Sequence, residues 1–291
     1  MSVPFEYLEH LVVVPVTLNG AETHFILDSG IGLTLVRSAD AATPTGETYI
    51  GRRMSGQAVE VPLAHAGSLA FDGLAVDGAE VGILDMSFPP ELDHIAGFLS
   101  LAFFAEQPVT VDYPAQGVEL GRRDGVALDV KVEWDGPAVT VFLPLELPNG
   151  ETISAEVDMG SDQLILDRRF RELGVGEARV VDGVDETGNG YTRTFMQLGG
   201  PVHPAGAPEL VQDDPQVMFQ EIIHDGLLGK DFLARYAVTF DLPGSRIVLA
   251  LGQTGPCRRS RSSCRSTTKR RPFALRSTTC SRRSCRSSAA S

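Results

Sequence analysis

The first 256 residues contain no cysteine; all four, Cys257, Cys264, Cys280 and Cys285, fall in the last 36. A disulfide scaffold, a cysteine nucleophile and a cysteine-ligated metal are therefore excluded from the body of the chain. Basic residues are scarce there as well. The last 36 residues hold 11 of the 25 Lys and Arg and no acid, which leaves 14 basic against 38 acidic residues in the body. So acidic a body argues against nucleic-acid binding through the folded part. Long apolar runs are missing: the run from Leu11 to Val16 is too short for a signal-peptide core or a membrane span, and the first basic residue is Arg37. A soluble, cytoplasmic protein without a membrane span is expected. The six histidines (His10, His24, His65, His94, His203, His224) show no i, i+4 pairing, so no helical zinc site is expected; His94 and His224, near the two glycine blocks, read as loop residues. Phosphate loops, dinucleotide fingerprints and the Gly-x-Ser-x-Gly of serine hydrolases are absent too.

What is present is enough apolar sequence for a sizeable core. The chain has 291 residues, 43% hydrophobic and 22% charged, with 30 glycines and 18 prolines. That length suggests about two domains, and the glycine and proline favour a turn-rich chain over a helical bundle. Residues 256–291 are dominated by Arg and Ser, lack hydrophobic periodicity, and are expected to be disordered or misannotated.

The body repeats itself. Val12-Val-Val-Pro-Val-Thr-Leu-Asn-Gly20 followed by Phe25-Ile-Leu-Asp28-Ser29-Gly30 is matched by Val141-Phe-Leu-Pro-Leu-Glu-Leu-Pro-Asn-Gly150 followed by Ala155-Glu-Val-Asp158-Met159-Gly160. Asn19-Gly20 and Asp28 meet their partners at an offset of 130 residues. Gly97-Phe98-Leu99-Ser100 and Val109-Thr-Val-Asp-Tyr-Pro114 match Gly226-Leu227-Leu228-Gly229 and Val238-Thr-Phe-Asp-Leu-Pro243 at an offset of 129. This order and spacing implies a tandem duplication: one lobe over 1–120, a linker over 121–137 and a second lobe over 138–255.

Each copy reads as β structure. Runs at 11–18, 24–27, 33–36 and 109–111 are short, β-branched and bounded by Gly, Pro or Asn. Asn19-Gly20 is a strong two-residue hairpin signal, and Pro148-Asn149-Gly150 is nearly as good. Helix is expected only at 167–173, ending at Gly174, and at 230–236. Strands this short and numerous tend to close into barrels or sandwiches.

Each copy also places an aspartate, Asp28 or Asp158, at the end of an apolar strand and before a glycine turn. An approximate two-fold axis would bring the two turns face to face. Two carboxylates sharing one site cannot both ionise readily, so the pair holds one proton. Such a pair can bind a water, activate it with the ionised member and polarise a carbonyl with the protonated one. Asp112 and Asp241 are matched acids as well, but each sits before an aromatic or Leu and then Pro, and reads as a strand-end residue.

With Asp28-Ser29-Gly30, the Gly97 and Gly226 blocks, and the Val-Thr-Val-Asp-Tyr-Pro and Val-Thr-Phe-Asp-Leu-Pro ends in view, residues 10–251 resemble a single-chain, two-lobed retropepsin-like aspartic protease. The resemblance implies a mainly β fold of two similar β-barrel-like lobes related by a pseudo-two-fold axis. It implies catalytic Asp28 and Asp158, supported by Ser29, Gly30, Gly160 and Ser161, and hairpin flaps near 52–58 and 186–192. The expected activity is hydrolysis of peptide bonds in a peptide or protein substrate, with no metal, no organic cofactor and no need to dimerise. Two positions depart from the pattern. Met159 stands where a Ser or Thr hydroxyl braces the paired turns, with Ser161 nearby as a substitute. Ser100 stands where the second copy has Gly229. Met159 motivates the alternative, a degenerate module of the same fold that binds peptides or a protein partner without cleaving them. An unrelated β-sandwich module would leave the matched aspartate turns unexplained.

Overall fold

The computed structural model describes residues 2–84, 92–184 and 190–251. The tail expected to be disordered and residues 186–189 of the second expected flap lie outside the described residues. The chain is mainly β and forms several curled sheets, an arrangement compatible with two barrel-like lobes. One large sheet is built from strands within 6–99, a second from strands within 131–228. A third sheet is shared. In it Val109–Asp112 pairs antiparallel with Tyr236–Asp241, and Val3–Pro4, Gly117–Leu120, Arg246–Leu251 and Val126–Asp129 complete the order. The ends of the two halves thus leave their own sheets and pair with each other. One apolar core runs through both halves, from Phe5 and Val12 to Phe240 and Leu249.

The strands follow from their side chains. In Leu11–Leu18, Val12, Val14, Val16 and Leu18 face the main core, while Val13 faces a small second cluster with Ile26 and Ile95. Burial on both faces explains why the run is continuously apolar instead of alternating. Asn19 and Gly20 both have positive φ, 52° and 81°, as a type I′ hairpin turn requires, and Leu18 pairs directly with Ala21. The second hairpin differs from the expected two-residue form. Leu147 and Glu151 close a three-residue loop in which only Gly150 has positive φ, and Pro148 takes the first turn position that fits its ring.

The stretch 121–137, expected as a linker, holds strands Val126–Asp129 and Lys131–Asp135, which pair with Arg246–Leu251 and Ala138–Glu146. Their charged, solvent-facing residues hide the β pattern. The strand read at 33–36 is only Leu35–Val36. The helix at 167–173 is a 3₁₀ segment, Arg168–Leu173, capped by Asp167, and Gly174 after it is extended instead of left-handed. The later helix covers Lys230–Leu233. No helix of the described residues is long and apolar enough to cross a membrane.

The two glycine blocks have a steric origin. Ile95–Leu99 lies parallel to Ala21–Leu27 and antiparallel to Leu35–Val36. Gly226–Leu228 lies parallel to Thr152–Val157 and antiparallel to Leu164–Asp167. A Cβ on Gly97 would collide with the Leu35 carbonyl, and one on Gly226 would come within 2.9 Å of the Ile165 carbonyl. Only glycine lets these strands approach so closely.

Candidate active site

Leu27 and Val157, the residues just before the two aspartates, are fully buried. Each such side chain contributes about 1.5–3 kcal/mol to stability, so the strand ends that carry Asp28 and Asp158 are fixed by the core. The ladders extend one residue further. The Asp28 amide donates to the Leu99 carbonyl at 3.0 Å and the Asp158 amide to the Leu228 carbonyl at 3.1 Å. Each carboxylate then accepts a hydrogen bond from its own turn: Gly30 N–H to Asp28 Oδ1 and Gly160 N–H to Asp158 Oδ1, both at 2.8 Å.

The structure brings the two turns together. Ser29 Oγ donates to the Val157 carbonyl at 2.6 Å and accepts the Met159 N–H at 2.9 Å. A Cβ on Gly160 would stand 2.5 Å from Asp28 Oδ2, and one on Gly30 would collide with Asp158 Oδ1. Each glycine is thus the floor against which the opposite carboxylate rests. The two carboxyls therefore face one another across the paired turns, and each residue is only 9% exposed. Burial first, then the neighbouring Asp158 charge, pushes the Asp28 carboxyl from 3.8 up to about 7, against the pull of the Gly30 N–H. All six residues named from the sequence, Asp28, Ser29, Gly30, Asp158, Gly160 and Ser161, meet at this point.

The two departures also have structural readings. The Met159 side chain is buried in the main core, so the brace between the turns runs one way, from Ser29. Ser161 Oγ donates to Asp158 Oδ2 at 2.6 Å. The helix at Lys230–Leu233 holds this turn from behind, with Lys230 N–H and Asp231 N–H donating to the Ser161 and Asp162 carbonyls at 2.8 Å. Ser100 is extended, as Gly229 is, and its hydroxyl caps the segment Leu101–Phe104 by accepting the Ala102 N–H. Asp112 and Asp241 end their strands, accept turn amides from Ala115 and Gly244, and pair with Arg123 and Arg122.

Several neighbours were not read from the sequence. His10 donates from Nε2 to the Gly160 carbonyl at 2.8 Å. Tyr113 has a buried hydroxyl with no hydrogen-bond partner among the described residues. Its phenol is raised well above 10 by burial, and further by Tyr7, Asp28 and Asp158. Glu156, two residues before Asp158, is buried against His224, Oε2 to Nε2 3.4 Å. His224 lies in a loop, as expected, and His10 in a turn, and both are engaged at the site. A glutamate inside an otherwise apolar strand was the available signal for Glu156; the histidines reach the site only through the fold.

The hairpin turn expected near 52–58 is present. Arg53 and Gln57 close it around Gly56, which has φ 82°. Its tip reaches the other half of the molecule: the Met54 carbonyl accepts the Ile223 N–H at 2.8 Å, and Met54 packs against Ile165, Met218, Ile222 and Leu227. Ile165 pairs with Leu227, next to the Leu228 carbonyl that holds Asp158. Among the described residues no cluster of three or more His, Cys, Asp or Glu side chains is placed to hold a metal ion.

None of the models of known protein families matches the chain, and no curated protein is significantly similar to it.

Proposed function

We propose that the chain is an aspartic-type endopeptidase of the retropepsin-like kind, built as two related lobes, in which Asp28 and Asp158 activate one water against a peptide carbonyl. The observation that carries this reading is the meeting of the two turns: two buried carboxyls facing one another, each resting on the other turn's glycine, tied by Ser29. Asp28 holds the shared proton. Asp158, which accepts from Gly160 N–H and Ser161 Oγ, takes a proton from water as general base. The oxygen of that water bonds to the carbonyl carbon while Asp28 donates to the carbonyl oxygen. Return of a proton to the amide nitrogen then lets the C–N bond break. An extended peptide or protein segment is the substrate, lying under the 53–57 hairpin.

The buried Met159 favours a second reading, a binding module of the same fold, because the one-way brace leaves the paired turns less firmly joined. Cleavage of a mixed peptide library from about pH 3 to about pH 8 separates the two. Full-length protein should cleave, and Asp28→Asn and Asp158→Asn should each lose at least about a thousand-fold in rate while remaining folded. Full activity in either variant would overturn the assignment. A folded protein that binds a statine-type peptide without forming product would favour the binding module.

A further inference from the structure

The strand Thr152–Val157 carries a carboxyl that the proposed reaction does not use. Val157 points into the core, so Glu156 and Asp158, on either side of it, lie on the same face of the chain, about 7 Å apart along the strand. The first half has Ile26 at the position two before its aspartate, packed with Val13 and Ile95. In the second half that place is polar. Glu156 is 8% exposed, with Phe142 opposite it on one neighbouring strand and Leu227 opposite it on the other. His224 closes the space, its ring edge-on to Phe142 at 5.1 Å and its Nε2 3.4 Å from Glu156 Oε2.

We propose that Glu156, held against His224, is a third titrating acid of this site, a positioning residue that stays protonated while the Asp28–Asp158 pair carries one negative charge. The charges facing it come from every packed element. Asp158 and Asp28 lie at the end of its own strand. Glu133 and Asp225 act on His224, and Asp225 is itself engaged by Arg169 and the Ser154 amide. Among the described residues no lysine or arginine pairs with Glu156. Surrounded by acids and apolar rings, both partners take their neutral forms. Burial first, then Asp158 and Asp28, raise the Glu156 carboxyl to about 8, and burial lowers the His224 imidazole. The carboxylic acid then donates to the imidazole Nε2, and the three acids of the site together bear a single negative charge.

Only the link to catalysis rests on the endopeptidase reading; the proton sharing does not. Carboxyl-carbon NMR of the full-length protein, labelled at Asp and Glu, follows each group through pH. Glu156, assigned with Glu156→Gln, should titrate far above the other glutamates. Its midpoint should fall by about one pH unit or more in Asp158→Asn, or in Asp28→Asn should the first variant fail to fold. A midpoint in the ordinary glutamate range, or one unmoved by both variants, overturns the proposal. If the protein cleaves peptides, Glu156→Gln should move the alkaline limb of the pH profile and leave the acid limb in place; an unmoved alkaline limb overturns the link to catalysis. Shared titration without cleavage would reject the endopeptidase reading alone.

Discussion

Ser29 and Met159 each follow a site aspartate, yet only Ser29 joins the two turns, donating to the Val157 carbonyl and accepting the Met159 amide. Met159 contributes its backbone to that brace and its side chain to the core.

The asymmetry makes the two positions respond differently to substitution. Ser29→Ala removes two buried hydrogen bonds, each worth about 0.5–1.5 kcal/mol, and leaves a carbonyl and an amide unpaired. It should destabilise the protein by about 2 kcal/mol in urea unfolding. Met159→Thr supplies a hydroxyl but takes a large side chain out of the core, at a cost of about 2–4 kcal/mol. It should therefore lower stability too, despite restoring the hydroxyl. A Met159→Thr protein as stable as the parent would mean that the missing hydroxyl matters more than the packing.

The glycines make a sharper test. At Gly160 a methyl group would press on Asp28 Oδ2 from 2.5 Å, and at Gly30 on Asp158. Nothing flexible can give way there, because both carboxylates are held by their own turns. Should the chain cleave peptides as proposed, Gly160→Ala should abolish cleavage while costing only about 1–3 kcal/mol of stability. Retained cleavage in this variant would mean that the carboxyls need not face each other as they do here.

Stability should depend on pH with an unusual sign for a carboxylate-rich protein. The Asp28 carboxyl, ordinarily at 3.8, is raised to about 7, and that of Glu156, ordinarily at 4.5, to about 8. The folded state keeps these protons where the unfolded chain has released them. The stability they contribute is present below about pH 4 and is lost as pH rises through 7 and then 8. The melting temperature should fall between mildly acid and mildly alkaline pH, and Asp28→Asn should flatten part of that slope. A slope of the opposite sign in the parent, or one unchanged by the variant, would contradict the buried, proton-sharing arrangement.

Some of this arrangement was legible in the sequence because it is local. Asn19-Gly20 has one inexpensive backbone solution, and an apolar run ending in Asp-x-Gly states its own strand and turn. The repeat of Gly97 and Gly226 was visible too, although its cause, a strand pressed against the Leu35 and Ile165 carbonyls, was not. The strand Val126–Asp129 was hidden because its residues face solvent on one side and gain their β character from Arg246–Leu251, far along the chain. Glu156 and His224 were unreadable as a pair for the same reason: no local rule links a strand glutamate to a loop histidine that reaches it only after folding.

The hairpin at 53–57 bonds across the molecule at its tip, through Met54 and Ile223. Met54 is partly buried, and its side chain supplies the apolar contact with Ile165, Met218, Ile222 and Leu227. Met54→Ala removes that contact but leaves the turn residues intact, so it should loosen the tip by about 1–2 kcal/mol without unfolding the chain. The Ile223 amide, which donates to the Met54 carbonyl, should then exchange with solvent roughly ten-fold faster. The Asp158 amide, bonded to Leu228 within the sheet, should not change. Gly56→Val should have a larger effect by a different route. Gly56 has φ 82°, and a Cβ there would stand 2.8 Å from Ile223 Cγ2, so both the turn and its docking are strained. If Ile223 exchange is unaffected by either change, the hairpin tip is held by something other than this contact. If Asp158 loosens as well, the tip and the paired turns form one cooperative unit, and the hairpin stabilises the site.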